Sequence, residues 1–302
     1  MHTGGADISA GLVGQLVHSQ FPELGGLELR PVRSTGTVNA LYRLGSDLCV
    51  RLPRHSRWSE DLKKELRWLP VLRSHLTLPI PAPVGTGRPQ FGYPFTWAIY
   101  RWLEGEVYEP ESGAVERQLA NDLAAFITQL RAIETAGAPE SGRLPLPALD
   151  VATRQAIEAV GAVEAVGATE AVGDLDAARM ADAWERSIEG PTWDGAPVWR
   201  HCDLLPPNLL VEGGRLHAIL DFGGAGIGDP AADVIAAWTL FGQSGRQRLR
   251  QLLDVDEATW RRARGYALHQ ALLIIPYYAV SNPAFVTMAR RTVREVLDDM
   301  AL

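Results

Sequence analysis

One stretch limits the folds open to this chain more than any other: residues 199–230, WRHCDLLPPNLLVEGGRLHAILDFGGAGIGDP. His201, Asp203 and Asn208 stand in H-x-D-x-x-x-x-N spacing, and Asp221-Phe222-Gly223 follows after an apolar run. Between them Leu209 to Glu212 reads as one strand, Gly213-Gly214 as a two-residue turn, and Leu216 to Leu220 as the returning strand. Such a hairpin brings the second carboxylate back beside the loop that holds the first. Asp-Phe-Gly alone is a common loop tripeptide, and the His-Asp-Asn spacing alone arises by chance. Joined by a hairpin of this length, they constrain each other.

Those residue types in that order suit phosphoryl transfer of the kinase type. A carboxylate must accept the hydrogen bond of an acceptor hydroxyl. An amide oxygen and a second carboxylate must hold Mg²⁺ against a triphosphate.

Composition narrows the field by exclusion. A chain of 302 residues with 46% hydrophobic and 22% charged residues can bury a sizeable core, in two lobes or one large domain. The net charge of −7 argues against a nucleic-acid-binding face and mildly favours cationic small-molecule partners, although it also serves solubility. Cys49 and Cys202 are the only cysteines, which excludes a disulfide framework or a zinc cluster and fits a reducing cytoplasm. The first residues lack the basic-then-apolar pattern of a signal peptide, and no apolar run reaches the roughly 18 residues of a membrane span. A cytoplasmic monomer is the expectation.

Along the chain, Ile8, Leu12, Leu16 and Val17 predict an amphipathic helix over 7–21. Strand-like runs follow at 27–33, 39–44 and 48–52. The polar loop Ser34-Thr35-Gly36 between the first two can fold its amides over phosphates or be an ordinary hairpin turn. A helix is expected over 58–69, then an extended proline-rich segment, then a buried strand within FTWAIYRWL at 95–103. The order β-β-β-α-β-β thus precedes the catalytic segment, with a lobe boundary near Glu104-Gly105-Glu106. Helices are expected at 114–135 and 176–188. Between them Glu158, Glu164 and Glu170 each open a copy of Glu-Ala-Val-Gly, read as a local tandem expansion in a helical insertion, without chemistry. After Asp221 the pattern predicts helices and no strand, with Pro276 interrupting the helix of 257–275.

With these residues in view, the chain resembles the aminoglycoside phosphotransferase family, kinase-fold enzymes that include macrolide and choline-type small-molecule kinases. The resemblance runs from Val32 to about Tyr278. The family's segment H-G-D-L-H-P-G-N reads HCDLLPPN here, matched at His201, Asp203, Leu204, Pro206 and Asn208 and departing at Cys202, Leu205 and Pro207. The G-D-P-x-x-D run is present from Gly228 to Asp233. The resemblance implies an α+β protein-kinase-like bilobal fold: a nucleotide-binding lobe with a small antiparallel sheet over 1–103, and a mainly helical catalytic and substrate-binding lobe over 104–302. It implies ATP or GTP as co-substrate and Mg²⁺ as cofactor. Asp203 would be the catalytic residue, as base or orienter of the acceptor hydroxyl, Asn208 and Asp221 the Mg²⁺ ligands, and His201, Asp229 and Asp233 structural. Arg51 would meet the phosphates and pair with Glu65, whose alternative is a solvated helix face among Lys63, Lys64 and Arg67. Ser34, Thr35 and Gly36 would cover the phosphates, and Arg101, Trp102 and Leu103 would form the backbone edge that meets the base.

The acceptor implied is a small-molecule hydroxyl, with an aminoglycoside-type antibiotic expected and a macrolide or other hydroxyl metabolite as the alternative. A peptide is disfavoured, because Leu205 stands where protein kinases carry lysine and only seven residues separate Gly223 from Ala231. A non-catalytic nucleotide-binding kinase fold is the further alternative. The run Gly224-Ala225-Gly226-Ile227-Gly228 lacks the helix-then-strand context of a dinucleotide-binding turn.

Overall fold

The structure is a computed structural model that describes residues 8–32, 38–110, 114–166 and 175–301. The chain falls into two compact units: Met1–Glu106 with His217–Gly224, and Val107–Leu216 with Ala225–Leu302.

The first unit is built on a five-stranded antiparallel sheet. Its strands are β1 (Leu29–Pro31), β2 (Asn39–Leu44), β3 (Leu48–Pro53), β4 (Pro83–Gly87) and β5 (Trp97–Arg101), in the order β1-β2-β3-β5-β4. Strict alternation explains β2, which buries Ala40, Tyr42 and Leu44 and turns the residues between them outward. Helix α1 (Ala10–Gln20) lays Val13, Leu16 and Val17 on that buried face, and the Ser9 hydroxyl caps it by accepting from the Leu12 amide. Helix α2 (Ser56–Arg73) aligns Leu62, Glu65, Leu69 and Leu72 on its buried face. It runs through Pro70 to Arg73, a turn beyond the expected end at Leu69.

The second unit is mainly helical. It contains α3 (Ala114–Arg131), α4 (Asp150–Val166), α5 (Ala177–Ile188), the short α6 (Ala231–Val234) and α7 (Ala236–Thr239), α8 (Gln243–Leu252), α9 (Glu257–Tyr278) and α10 (Pro283–Asp299). Helix α9 is its axis. Trp260, Tyr266, Leu268, Leu272 and Ile275 are buried around it, and α4, α5, α6 and α10 pack against it. It continues past Pro276 to Tyr278. The expected interruption does not occur, although the proline leaves the Leu272 carbonyl without its helical donor and crowds it with the ring. Helix α8 lacks a capping side chain of its own; the buried Glu116 of α3 accepts from the Gly242 amide and the Ser244 hydroxyl instead. The first Glu-Ala-Val-Gly copy lies within α4, and Val166 of the second ends that helix; the third copy lies outside the described residues.

Short strands complete the frame. They are β6 (Glu106–Val107), β7 (Val198–Arg200), β8 (Leu209–Glu212), β9 (Arg215–Ile219) and β10 (Gly226–Gly228). The turn joining β8 to β9 places Gly213 and Gly214 at φ of 56° and 74°, where a side chain would be strained. Strand β10 corrects the expectation of no strand after Asp221: it pairs antiparallel with β7, and Ile227 exchanges hydrogen bonds with Pro139 and Ser141. Its glycines hide it from a propensity reading, yet packing demands one of them. A Cβ on Gly226 would stand 2.5 Å from the Ser141 nitrogen and 2.7 Å from the Pro139 oxygen. Close backbone approach, not phosphate binding, accounts for that glycine. Among the described residues no helix is long and apolar enough to cross a membrane.

A buried imidazole on α9 gives a test of the helical packing. The Thr153 hydroxyl donates to the Leu149 carbonyl, so its contact with His269 Nδ1 at 2.8 Å makes that nitrogen the donor. Burial, aided by the nearby Arg143 charge, pushes the imidazole from 6.5 down to about 4. The ring therefore folds neutral. The stability this gives relative to the protonated ring is intact above pH 6.5 and is lost as pH falls towards 4. The loss reaches about 3 kcal/mol. Urea unfolding of wild type and His269→Asn, which keeps a donor but cannot titrate, should show a flatter acid limb in the variant.

Candidate active site

The segment that carries His201, Asp203 and Asn208 leaves β7 into a loop that the second unit holds by its backbone. The Asp233 carboxylate, wholly buried on α6, accepts the amide of His201 at 2.9 Å and that of Cys202 at 2.8 Å. Cys202 takes φ of 72° in doing so, at the position where the resembled family carries glycine. Burial pushes its thiol above its ordinary pKa, which keeps it protonated and a poor nucleophile. The Asp203 amide donates to His201 Nδ1 at 3.2 Å, which makes that ring nitrogen an acceptor. Pro206, Pro207 and Asn208 form one 3₁₀ turn, with the Asn208 amide bonded to the Leu205 carbonyl. Proline in the first positions of such a turn has the right φ and lacks only an amide with no partner inside it. Pro207 therefore fits this backbone.

Asp203 and Asn208 are brought together. Asn208 Nδ2 donates to Asp203 Oδ2 at 2.8 Å and to the Asp203 carbonyl at 2.9 Å, which turns the Asn208 amide oxygen away from that carboxylate. Two residues that the sequence reading missed complete the setting. Gln270 Nε2 on α9 donates to Asp203 Oδ1 at 2.8 Å. Arg143 Nη2 donates to Gln270 Oε1 at 3.1 Å and to the Cys202 carbonyl at 2.6 Å. Neither lies in a local motif. Asp229 caps α6 through the Ala231 amide and accepts both Nε and Nη2 of the buried Arg262.

In the first unit, Arg51 of β3 and Glu65 of α2 meet, with both Glu65 oxygens accepting from Arg51 Nη1 at 3.0 and 2.8 Å. Arg51 Nη2 also donates to Asp221 Oδ1 at 3.0 Å, and the Asn39 amide oxygen accepts from its Nε at 2.9 Å. The Tyr100 hydroxyl, on the neighbouring β5, donates to Glu65 Oε1 at 3.0 Å. Glu65 is fully buried, whereas the Asp221 side chain is 41% exposed. Burial pushes the Glu65 carboxyl up, an effect that the Arg51 charge opposes and the Asp221 charge reinforces. Burial alone would lower Arg51, but the two carboxylates raise it, so the guanidinium stays charged. Asp221 holds φ of 60°, a left-handed conformation that an aspartate tolerates better than most residues.

The remaining expected nucleotide contacts divide. Arg101 donates its amide to the Ala82 carbonyl and Trp102 to the Asp47 carbonyl, so both are spent inside the first unit. Leu103, just past β5, has no such bond to its amide among the described residues. The Trp102 ring instead lies under Arg43, whose guanidinium carbon is 4.0 Å from the ring centroid. Ser34, Thr35 and Gly36 lie outside the described residues. Among the described residues no three His, Cys, Asp or Glu side chains gather to hold a metal by themselves.

Comparison with known proteins shows the family and the fold. Residues 28–266 match the phosphotransferase enzyme family, and the chain belongs to it. An uncharacterized protein of Bacillus subtilis (strain 168), YcbJ, is 25% identical over 256 residues, which is 80% of this chain and 77% of that protein. Among solved structures, the GDP complex of aminoglycoside 2'-phosphotransferase-IIIa superposes with a TM-score of 0.73 and 19% identity, over 97% of this chain and 100% of that one. Macrolide 2'-phosphotransferase MphH from Brachybacterium faecium, an apoenzyme, gives 0.60 and 21%, over 94% and 97%. At such identities the likeness is one of fold: an antiparallel sheet in the N-terminal region, then a mostly helical part, as in kinase-like phosphotransferases.

Removing Glu65 would leave a buried guanidinium short of its fully buried partner. Glu65→Ala should destabilise the protein by about 3 kcal/mol. Tyr100→Phe, which removes one hydrogen bond to that carboxylate, should cost about 1 kcal/mol. Denaturant midpoints of the two variants measure both; equal, small losses would mean that Arg51 does not depend on Glu65.

Proposed function

We propose that this protein moves the γ-phosphate of ATP or GTP to a hydroxyl of a small molecule, with an aminoglycoside-type antibiotic as the acceptor class. The observation that carries the reading is the setting of Asp203. Each of its carboxylate oxygens receives a side-chain amide hydrogen, from Asn208 and from Gln270. A carboxylate oxygen has room for more than one donor, so a hydroxyl can be received by a base whose orientation is already fixed. The acceptor oxygen then bonds to the γ-phosphorus while the bond from that phosphorus to the β,γ-bridging oxygen breaks. The nucleoside diphosphate leaves with the electron pair, and the hydroxyl proton passes to Asp203.

Asn208 and Asp221 are the residues we assign to Mg²⁺, which when bound supplies charge neutralisation for the triphosphate. The donor chemistry fits. Asn208 commits its nitrogen to Asp203 and so presents oxygen, and Asp221 keeps its carboxylate half exposed although Arg51 bonds one of its oxygens. Two oxygen ligands, with phosphates and water completing the shell, are how Mg²⁺ is commonly held with nucleotides. Arg51 and its partner Glu65 serve the phosphates, Ser34, Thr35 and Gly36 cover them, and the Leu103 amide is the donor we assign to the base.

The likeness to a GDP-bound aminoglycoside phosphotransferase and the net charge of −7 support a polycationic acceptor. The likeness to a macrolide phosphotransferase makes macrolides the second class to test. Nucleotide consumption across aminoglycosides, macrolides and amino alcohols, with ATP and GTP in parallel, should identify one acceptor. With it, Asp203→Asn should lower kcat by about 10² to 10⁴-fold, the range for loss of a general base, while nucleotide affinity and Tm hold. Turnover undiminished in that variant would exclude Asp203 as the base.

A further inference from the structure

We propose that Gln270 is a positioning residue for the reaction, and that Arg143 fixes it in the orientation the reaction needs. This rests on the reading of Asp203 as the base. The amide of Gln270 lies between a group that can only donate and, in its ionised form, one that can only accept. Arg143 Nη2 donates to Oε1 at 3.1 Å, and Nε2 donates to Asp203 Oδ1 at 2.8 Å. Since a guanidinium has no acceptor, the amide has one permitted orientation and its dipole points from Arg143 to Asp203. Arg143 is itself anchored by the Cys202 carbonyl at 2.6 Å and lies 5.6 Å from the Tyr266 ring centroid.

The consequence is a carboxylate gripped at both oxygens. Asn208 holds Oδ2 from its own loop and Gln270 holds Oδ1 from α9, so Asp203 cannot turn its χ2 without breaking one of the two bonds. Leu205 leaves the adjoining loop without the lysine that protein kinases place there. A neutral amide meets the geometric need without adding charge beside Arg143. A glutamate of the same size would pair with Arg143 but would turn a second carboxylate on Asp203.

Tm read beside kcat separates positioning from bracing. If Gln270 only ties α9 to the loop, the neutral Gln270→Met lowers Tm and kcat together. If Gln270 positions Asp203 by donating to it, Gln270→Met loses activity at a nearly unchanged Tm. Phosphate release from ATP–Mg²⁺ and GTP–Mg²⁺, with water in place of the acceptor hydroxyl, is measured for wild type, Asp203→Asn, Gln270→Met and Gln270→Glu. We expect Gln270→Met to lower kcat about tenfold to a hundredfold, and Gln270→Glu at least as much. Nucleotide KM should stay within about twofold in both, and the Tm of Gln270→Glu should equal or exceed that of Gln270→Met. Gln270→Met with Tm and kcat lowered together, or Gln270→Glu at wild-type kcat, overturns the proposal while leaving Asp203 in place, provided Asp203→Asn is impaired. An unimpaired Asp203→Asn overturns the underlying reading and this proposal with it.

Discussion

The loop that carries Asp203 depends on one buried carboxylate. Asp233 accepts the amides of two successive residues, His201 and Cys202, and successive amides can converge on one acceptor only if the backbone turns sharply between them. Cys202 makes that turn by entering the left-handed region, which costs a residue with a side chain roughly 1–2 kcal/mol. Two hydrogen bonds to a charged acceptor, each worth about 1.5–3 kcal/mol, offset that cost. The next residue is Asp203. Its amide reaches back to His201 Nδ1, its carbonyl accepts from the Leu205 amide, and its side chain meets Asn208 and Gln270. A carboxylate that never touches the reacting groups thus sets the direction of the one assigned to them.

The first unit solves a different electrostatic problem. One guanidinium, Arg51, serves two carboxylates of opposite exposure. Glu65 is buried and receives a further hydrogen bond from Tyr100, so its negative charge is fully committed inside the protein. Asp221 bonds Arg51 with one oxygen and keeps much of its side chain in solvent. The cluster carries one more negative charge than positive. Desolvation makes that excess costly at Glu65 and tolerable at Asp221, which is therefore the end at which a cation gains most from binding.

What could be read from the sequence follows how local each feature is. The hairpin and the His-Asp-Asn spacing are legible because covalent neighbours supply them. Glu65 is legible for a subtler reason: it shares the spacing of Leu62, Leu69 and Leu72, so it faces inward on a helix whose other charges face out. Tyr100 sits in an aromatic, β-prone run that reads as core, and nothing local distinguishes a hydroxyl with a partner from one without. Arg101 and Trp102 resemble a free backbone edge until the sheet is assembled and their amides are found bonded to Ala82 and Asp47. Strand β10 is hidden by its glycines, one of which close approach demands, and nothing local marks that α2 runs on past Pro70 and α9 past Pro276.

Gln270 and Arg143 escape the sequence for the same reason that they matter to the loop. They lie 67 and 59 residues from their partners Asp203 and Cys202, and polar residues there read as ordinary helix and loop surface. The fold puts them to use through α9, where adjacent residues face different neighbours. His269 donates to Thr153 and lies 6.2 Å from the Trp184 ring, whereas Gln270 faces the loop of Asp203. Arg143 acts on both. Its charge helps keep His269 neutral and its Nη2 orients the Gln270 amide. An imidazolium at 269 would repel Arg143, and any charge at 270 would either repel Arg143 or stand against Asp203. Around the carboxylate we assign as the base, this helix places groups whose polarity is directed by hydrogen bonds and whose net charge is zero.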